Sequence, residues 1–151
     1  MSENIRILAP VKRIAMVAHD HRKADLTAWA VRNKKALEQH ELMATGTTGR
    51  LLQDALGLPV RQFLSGPLGG DQQIGSRIAQ GAIDVLIFFW DPMQAQPHDT
   101  DVKALLRLAV TWNIPLACDE ATADFIISSP FMHTEYKALL SDYGSYISRL
   151  V

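Results

Sequence analysis

Two short stretches, TGTTG at 45–49 and SGPLGGDQQIG at 65–75, bring together hydroxyls, glycines and one carboxylate, Asp71. Each follows a short apolar run and precedes a helical pattern, so each is expected where a strand turns into a helix. The first N–H groups of a helix lack intrahelical acceptors and lie at its positive end, which makes such a turn a ready anion site. Thr45, Thr47 and Thr48 add hydroxyl donors, and Gly46 lets the main chain approach an anion. In the second stretch, glycines at 66, 69 and 70 suggest unusual backbone angles or a ligand pressed against the main chain. A phosphate cradle with Asp71 beside it points to chemistry on a small phosphorylated molecule. The same residues also have a plainer use, since threonines cap helices and an aspartate stabilises a first turn. Neither stretch is a P-loop, and the absence of Gly-x-Gly-x-x-Gly after the first strand argues against a dinucleotide.

Other polar residues gather at similar places. His19-Asp20-His21 ends the first apolar run, and Lys23 lies one helical turn further, as a phosphate partner or a solvated lysine. A His/Asp cluster can hold a metal, but too few ligands are near in sequence to expect one. Asp91, His98 and Asp101 lie on or just past a polar loop behind the most apolar run; His98 could donate to a substrate carbonyl, and Asp101 could cap a helix or orient a catalytic group. For Asp71 two influences oppose each other: a helix N-terminus favours the carboxylate, whereas a dry site favours the acid.

The elements that must position these residues alternate. Strands are expected at 13–18, 42–44, 60–64, 85–90 and 115–117, and helices at about 22–39, 48–56, 71–80 and 101–112, with a helical remainder broken at Pro130. Alternation of this kind implies an α/β fold: a mostly parallel sheet, helices on both faces and right-handed crossovers. Ligands bind at the carboxyl ends of such strands, and there the candidate residues converge.

The chain has 151 residues, which suggests one domain over 1–151. With 48% hydrophobic and 21% charged residues and a net charge of −1, it has no basic footprint for nucleic acid. Cys118 is its one cysteine, so no internal disulfide is expected and a cytoplasmic protein is the natural reading. No apolar run is long enough for a secretory signal or a membrane span.

The chain resembles the methylglyoxal synthase family along VAHDHRK (17–23), ATGTTG (44–49), SGPLGGDQQIG (65–75), DVLIFFWDP (84–92), PHDTDVKALLRLA (97–109) and ATADFIISSP (121–130). The resemblance implies a five-stranded three-layer fold of sheet order 3-2-1-4-5. It implies a lyase that converts dihydroxyacetone phosphate to methylglyoxal and inorganic phosphate without cofactor or metal, in a homohexamer commonly inhibited by phosphate. It assigns Asp71 as the base and His98 as the group that polarises the carbonyl. Lys23, Thr45, Gly46, Thr47, Thr48, Ser65 and Gly66 match phosphate- and substrate-binding positions, His19 matches a substrate contact, and Asp20, Asp91 and Asp101 match acidic residues near the site. The chain departs from the family where Cys118-Asp119-Glu120 stands in place of an expected asparagine, putting two acidic residues near a phosphate site. The tail is one residue shorter near Arg149, the candidate for an arginine that reaches the active site. Two rival functions share these features: a non-catalytic phosphate-ligand sensor of the same fold, and a triose phosphate isomerase-type activity.

Overall fold

The computed structural model describes residues 4–96 and 99–148. In chain order its elements are β1 (Ile5–Leu8), β2 (Arg13–Ala18), α1 (Lys23–Arg32), α2 (Lys34–Leu37), β3 (Glu41–Thr45), α3 (Gly46–Leu56), β4 (Val60–Phe63), α4 (Gly70–Ala79), β5 (Val85–Phe89), α5 (Asp99–Thr111), β6 (Leu116–Ala117), α6 (Glu120–Ser128), β7 (Tyr136–Leu139) and α7 (Tyr143–Ser148). Five strands form one parallel sheet in the order β4-β3-β2-β5-β6. Counting only those five along the chain, this is 3-2-1-4-5, as the resemblance implies.

The central strands are apolar at nearly every position because both faces of the sheet are covered. Ile14, Met16 and Ala18 of β2, with Val85, Ile87 and Phe89 of β5, pack with Leu26 and Trp29 of α1, Leu52 and Leu56 of α3 and Ile127 of α6. Their neighbours Ala15, Val17, Leu86 and Phe88 turn to the opposite face and meet Ile74 and Ile78 of α4 and Val102 and Leu105 of α5. The period-two alternation of strand side chains thus divides one sequence between two cores. All crossovers leave the carboxyl ends of β2, β3, β4 and β5 on one edge.

Two expectations are corrected. The stretch 22–39 is two helices, because Asn33 closes α1, its N–H donating to Trp29 O and Ala30 O at 3.1 Å each. The remainder past the fifth strand of the sheet is not helical throughout: β7 pairs antiparallel with β1, Ile5 opposite Leu139 and Leu8 opposite Tyr136. Asp84, 1% exposed, ties this ribbon to the sheet. It accepts Arg13 Nε at 3.0 Å and Arg13 Nη2 at 2.9 Å, and lies 3.6 Å from Arg6 Nη2.

His40, between α2 and β3, accepts the Lys12 main-chain N–H on Nδ1 at 2.9 Å and places Nε2 3.2 Å from His133 Nδ1. Burial, with the nearby charges of His133 and Lys12, lowers its pKa from 6.5 to about 4. The unfolded chain therefore binds more protons at this site than the folded chain between about pH 4 and 6.5, so stability rises with pH across that window and levels off above it. Urea unfolding at pH 7 and pH 5 is expected to show a larger loss for the native chain than for His40→Gln. Equal losses would remove His40 as the source.

Candidate active site

The two glycine-rich loops meet. Gly46 has a φ of +41°, and a Cβ there would lie 2.8 Å from Ser65 Cα. A Cβ on Gly70 would stand 1.9 Å from Leu64 O and 2.9 Å from Thr45 Cγ2. Glycine is required at both positions because each loop's main chain fills the space a side chain would take. The contact brings the starts of α3 and α4 side by side. Thr45 and Gly69, their N-cap residues, make no side-chain cap bond, and at the start of α4 the Gly70 N–H donates to Ser65 O at 2.9 Å.

Between these helix starts and the end of β2 lies a cavity of about 330 Å³. Its lining includes His19, Asp20, Lys23, Thr45, Gly46, Thr47, Ser65, Gly66 and Asp71. Eight of these are the expected binding residues and the base less Thr48, and Asp20 is an expected supporting residue; strand ends far apart in sequence bring them together. Gln96, from the loop after β5, also lines the cavity. Nothing in the sequence distinguishes this glutamine from other loop residues, and only the return of the loop over the sheet edge places it here.

Lys23 Nζ donates to Thr47 Oγ1 at 2.6 Å and lies 2.8 Å from Asp20 Oδ1. The lysine's hydrogen bond and charge hold the Asp20 carboxyl below its ordinary range. Asp20 thus occupies Lys23 in a position that an entering phosphate would contest. Asp71, the second residue of α4, is 3% exposed and stands where the cavity meets a smaller recess of about 180 Å³. Asp101 of α5 lines that recess and not the main cavity.

Thr48 is 2% exposed and lies under the cavity wall, not on it. Asp91 is likewise buried and off the lining; its main-chain N–H donates to His19 Nδ1 at 3.0 Å. His98 and Arg149 lie outside the described residues. The two acidic residues that departed from the family pattern are used elsewhere. Asp119 caps α6 by accepting the Thr122 N–H at 2.7 Å, and Glu120 pairs with Arg32. Neither lines the cavity.

The arrangement can bind a dianion on helix starts, hydroxyls and one lysine, and hold a carboxylate against the remainder of the same small molecule. Among the described residues no helix is long and apolar enough to cross a membrane. Residues 25–118 match the family model described as MGS-like domain. The chain is 57% identical to methylglyoxal synthase of Saccharophagus degradans, over 91% of this chain and 89% of that one. It is 54% identical to methylglyoxal synthase of Leptospira interrogans, over 92% and 94%. It superposes on the crystal structure of methylglyoxal synthase from Elizabethkingia anophelis with a TM-score of 0.93 at 59% identity, covering 99% of this chain and 98% of that one.

Proposed function

The chain belongs to the methylglyoxal synthase family, and from that membership we propose that it converts dihydroxyacetone phosphate to methylglyoxal and inorganic phosphate. The observation that carries this reading is Asp71, buried at the edge of a cavity whose other wall is two helix starts, three hydroxyl side chains and Lys23. The phosphate binds on that wall. Asp71 takes a proton from the hydroxymethyl carbon; the C–H electron pair becomes a C=C bond and the carbonyl π pair moves onto oxygen to form an enediolate. His98 donates to that oxygen. The enediolate then collapses: the hydroxyl on the former hydroxymethyl carbon gives up its proton, and its O–H pair forms the aldehyde C=O. The C=C pair shifts to the phosphate-bearing carbon, and the C–O bond to phosphate breaks with its electrons leaving on phosphate. Inorganic phosphate leaves, and the enol ketonises to methylglyoxal.

An isomerase makes the same enediolate, so the outcome depends on the leaving group. Donors that bind phosphate more strongly as the C–O bond lengthens lower the barrier to elimination. Lys23 and the hydroxyls of Thr45, Thr47 and Ser65 are such donors. The same reading carries a cytoplasmic homohexamer, which light scattering on the purified protein tests.

Incubation of metal-free protein with dihydroxyacetone phosphate is expected to release methylglyoxal and inorganic phosphate in equal amounts. Glyceraldehyde phosphate without free phosphate would make it an isomerase; binding without any product would make it a sensor. Lys23→Met is expected to weaken inorganic phosphate binding by roughly 10- to 100-fold, the range for a hydrogen bond to a charged group. Unchanged affinity by calorimetry would take Lys23 out of the phosphate site.

A further inference from the structure

One main-chain bond and two ring contacts place His19 where β2 ends. Its main-chain N–H donates to Phe89 O at 3.2 Å. Its ring stands edge-on to Phe88, with centroids 5.2 Å apart and planes at 86°. Its Nδ1 accepts the main-chain N–H of Asp91 at 3.0 Å, in a buried bond. A main-chain N–H can only donate, so Nδ1 must offer its lone pair, and the proton of the neutral imidazole then sits on Nε2.

Asp91 is itself held by its side chain. Its Oδ1 accepts the Met93 N–H at 3.0 Å, an Asx turn that closes the loop directly behind β5. Its Oδ1 is committed to this turn and the residue is not on the cavity lining, while its main-chain N–H meets His19.

We propose that Asp91 is a positioning residue. Its Asx turn aims its main-chain N–H at His19 Nδ1, which holds His19 as the Nε2–H tautomer and makes it a hydrogen-bond donor to a substrate oxygen. Nδ1, the one ring nitrogen able to take a proton in that tautomer, is turned away from chemistry and committed to the protein. This leaves two carboxylates as proton acceptors on the cavity lining, Asp71 and the Lys23-paired Asp20. The kinetic consequence rests on the reaction proposed above; the tautomer does not.

The test uses ligand-free protein with ¹⁵N-labelled histidine, long-range ¹H–¹⁵N correlation spectra at neutral pH, and assignment of His19 by comparison with His19→Gln. In the native protein His19 is expected to show a pyridine-type Nδ1 and a pyrrole-type Nε2. Asp91→Asn keeps an Oδ1 acceptor for Met93 N–H and is expected to keep this signature. Asp91→Ala removes the turn and is expected to give mixed tautomers, with kcat/KM about 10-fold or more below that of Asp91→Asn, the scale for loss of a partner that orients a functional histidine. A protonated Nδ1 in the native protein overturns the proposal, as does an Asp91→Ala protein that matches Asp91→Asn in both spectrum and rate. If Asp91→Ala does not fold, Asp91→Glu, whose longer side chain cannot close the same turn onto Met93 N–H, takes its place with the same two outcomes. If His19 shows the expected tautomer but no phosphate is released from dihydroxyacetone phosphate, the tautomer stands and the reaction falls.

Discussion

Asp71→Asn is expected to lower kcat on dihydroxyacetone phosphate by about 10²- to 10⁴-fold, the span that a positioned general base contributes. The substitution is close to isosteric, so the first turn of α4 and the edge of the cavity keep their shape. An amide cannot take a proton from carbon at neutral pH, and on the main cavity the neighbouring carboxylate is Asp20, which is tied to Lys23 at 2.8 Å. Asp101 lines only the adjoining recess. Inorganic phosphate is expected to bind within about threefold of its native affinity, a difference under ~0.7 kcal/mol, because its donors are the helix starts, the hydroxyls and Lys23. Single-turnover kinetics and calorimetry on the same preparation separate the two effects. A near-native rate would remove Asp71 as the base. Loss of rate together with loss of phosphate binding would mean that the introduced amide had disturbed the cradle.

Gly70→Ala is expected to have the largest effect on stability. The added methyl would lie 1.9 Å from Leu64 O and 2.9 Å from Leu64 C, and a backbone carbonyl cannot swing aside as a flexible side-chain end can. Relief requires moving the start of α4 away from the end of β4. Overpacking of a tight site costs about 1–3 kcal/mol and more where backbone must shift, so a loss of about 3 kcal/mol is expected. For a chain of this size that lowers Tm by about 6–12 °C. Because α4 carries Asp71 in its first turn, the displaced helix also moves the carboxylate, and activity is expected to fall even at temperatures where the variant is folded. Gly144→Ala is the control, since its φ is not positive and a Cβ there meets only the side-chain end of Asp142, at 3.2 Å. A Gly70→Ala protein as stable and active as the native one would show that the two loops are free to separate.

Much of this architecture is legible in the chain because its cause is local. The run Val85–Phe89 has to lie in a sheet covered on both faces, since no other short element buries five consecutive apolar residues. The turns that follow β2, β3 and β4 carry glycine, threonine, serine and acidic residues in place of apolar ones, so the edge of the sheet that does chemistry is visible before any coordinates. The strand order came from resemblance to a family and not from periodicity, because alternation sets the class of a sheet without setting which strands are neighbours.

Other features have causes that act between distant residues. β7 pairs with β1 across more than 120 residues, and its four residues, three of them exposed, carry no pattern strong enough to stand out from a helix. Gln96 joins the cavity only because a loop folds back over the sheet edge. Thr48 reads like Thr45 and Thr47 in sequence, yet the turn of α3 buries it beneath the wall. Asp119 and Glu120 look like unwelcome charge near a phosphate and are taken up by a helix cap and an ion pair. The sequence by itself determined the candidate donors, the candidate carboxylate, and the strand ends that carry them. Tertiary structure alone decided which of those groups share one cavity. Direction and exposure of a side chain depend on what packs behind it, and that neighbour is supplied by a remote part of the chain.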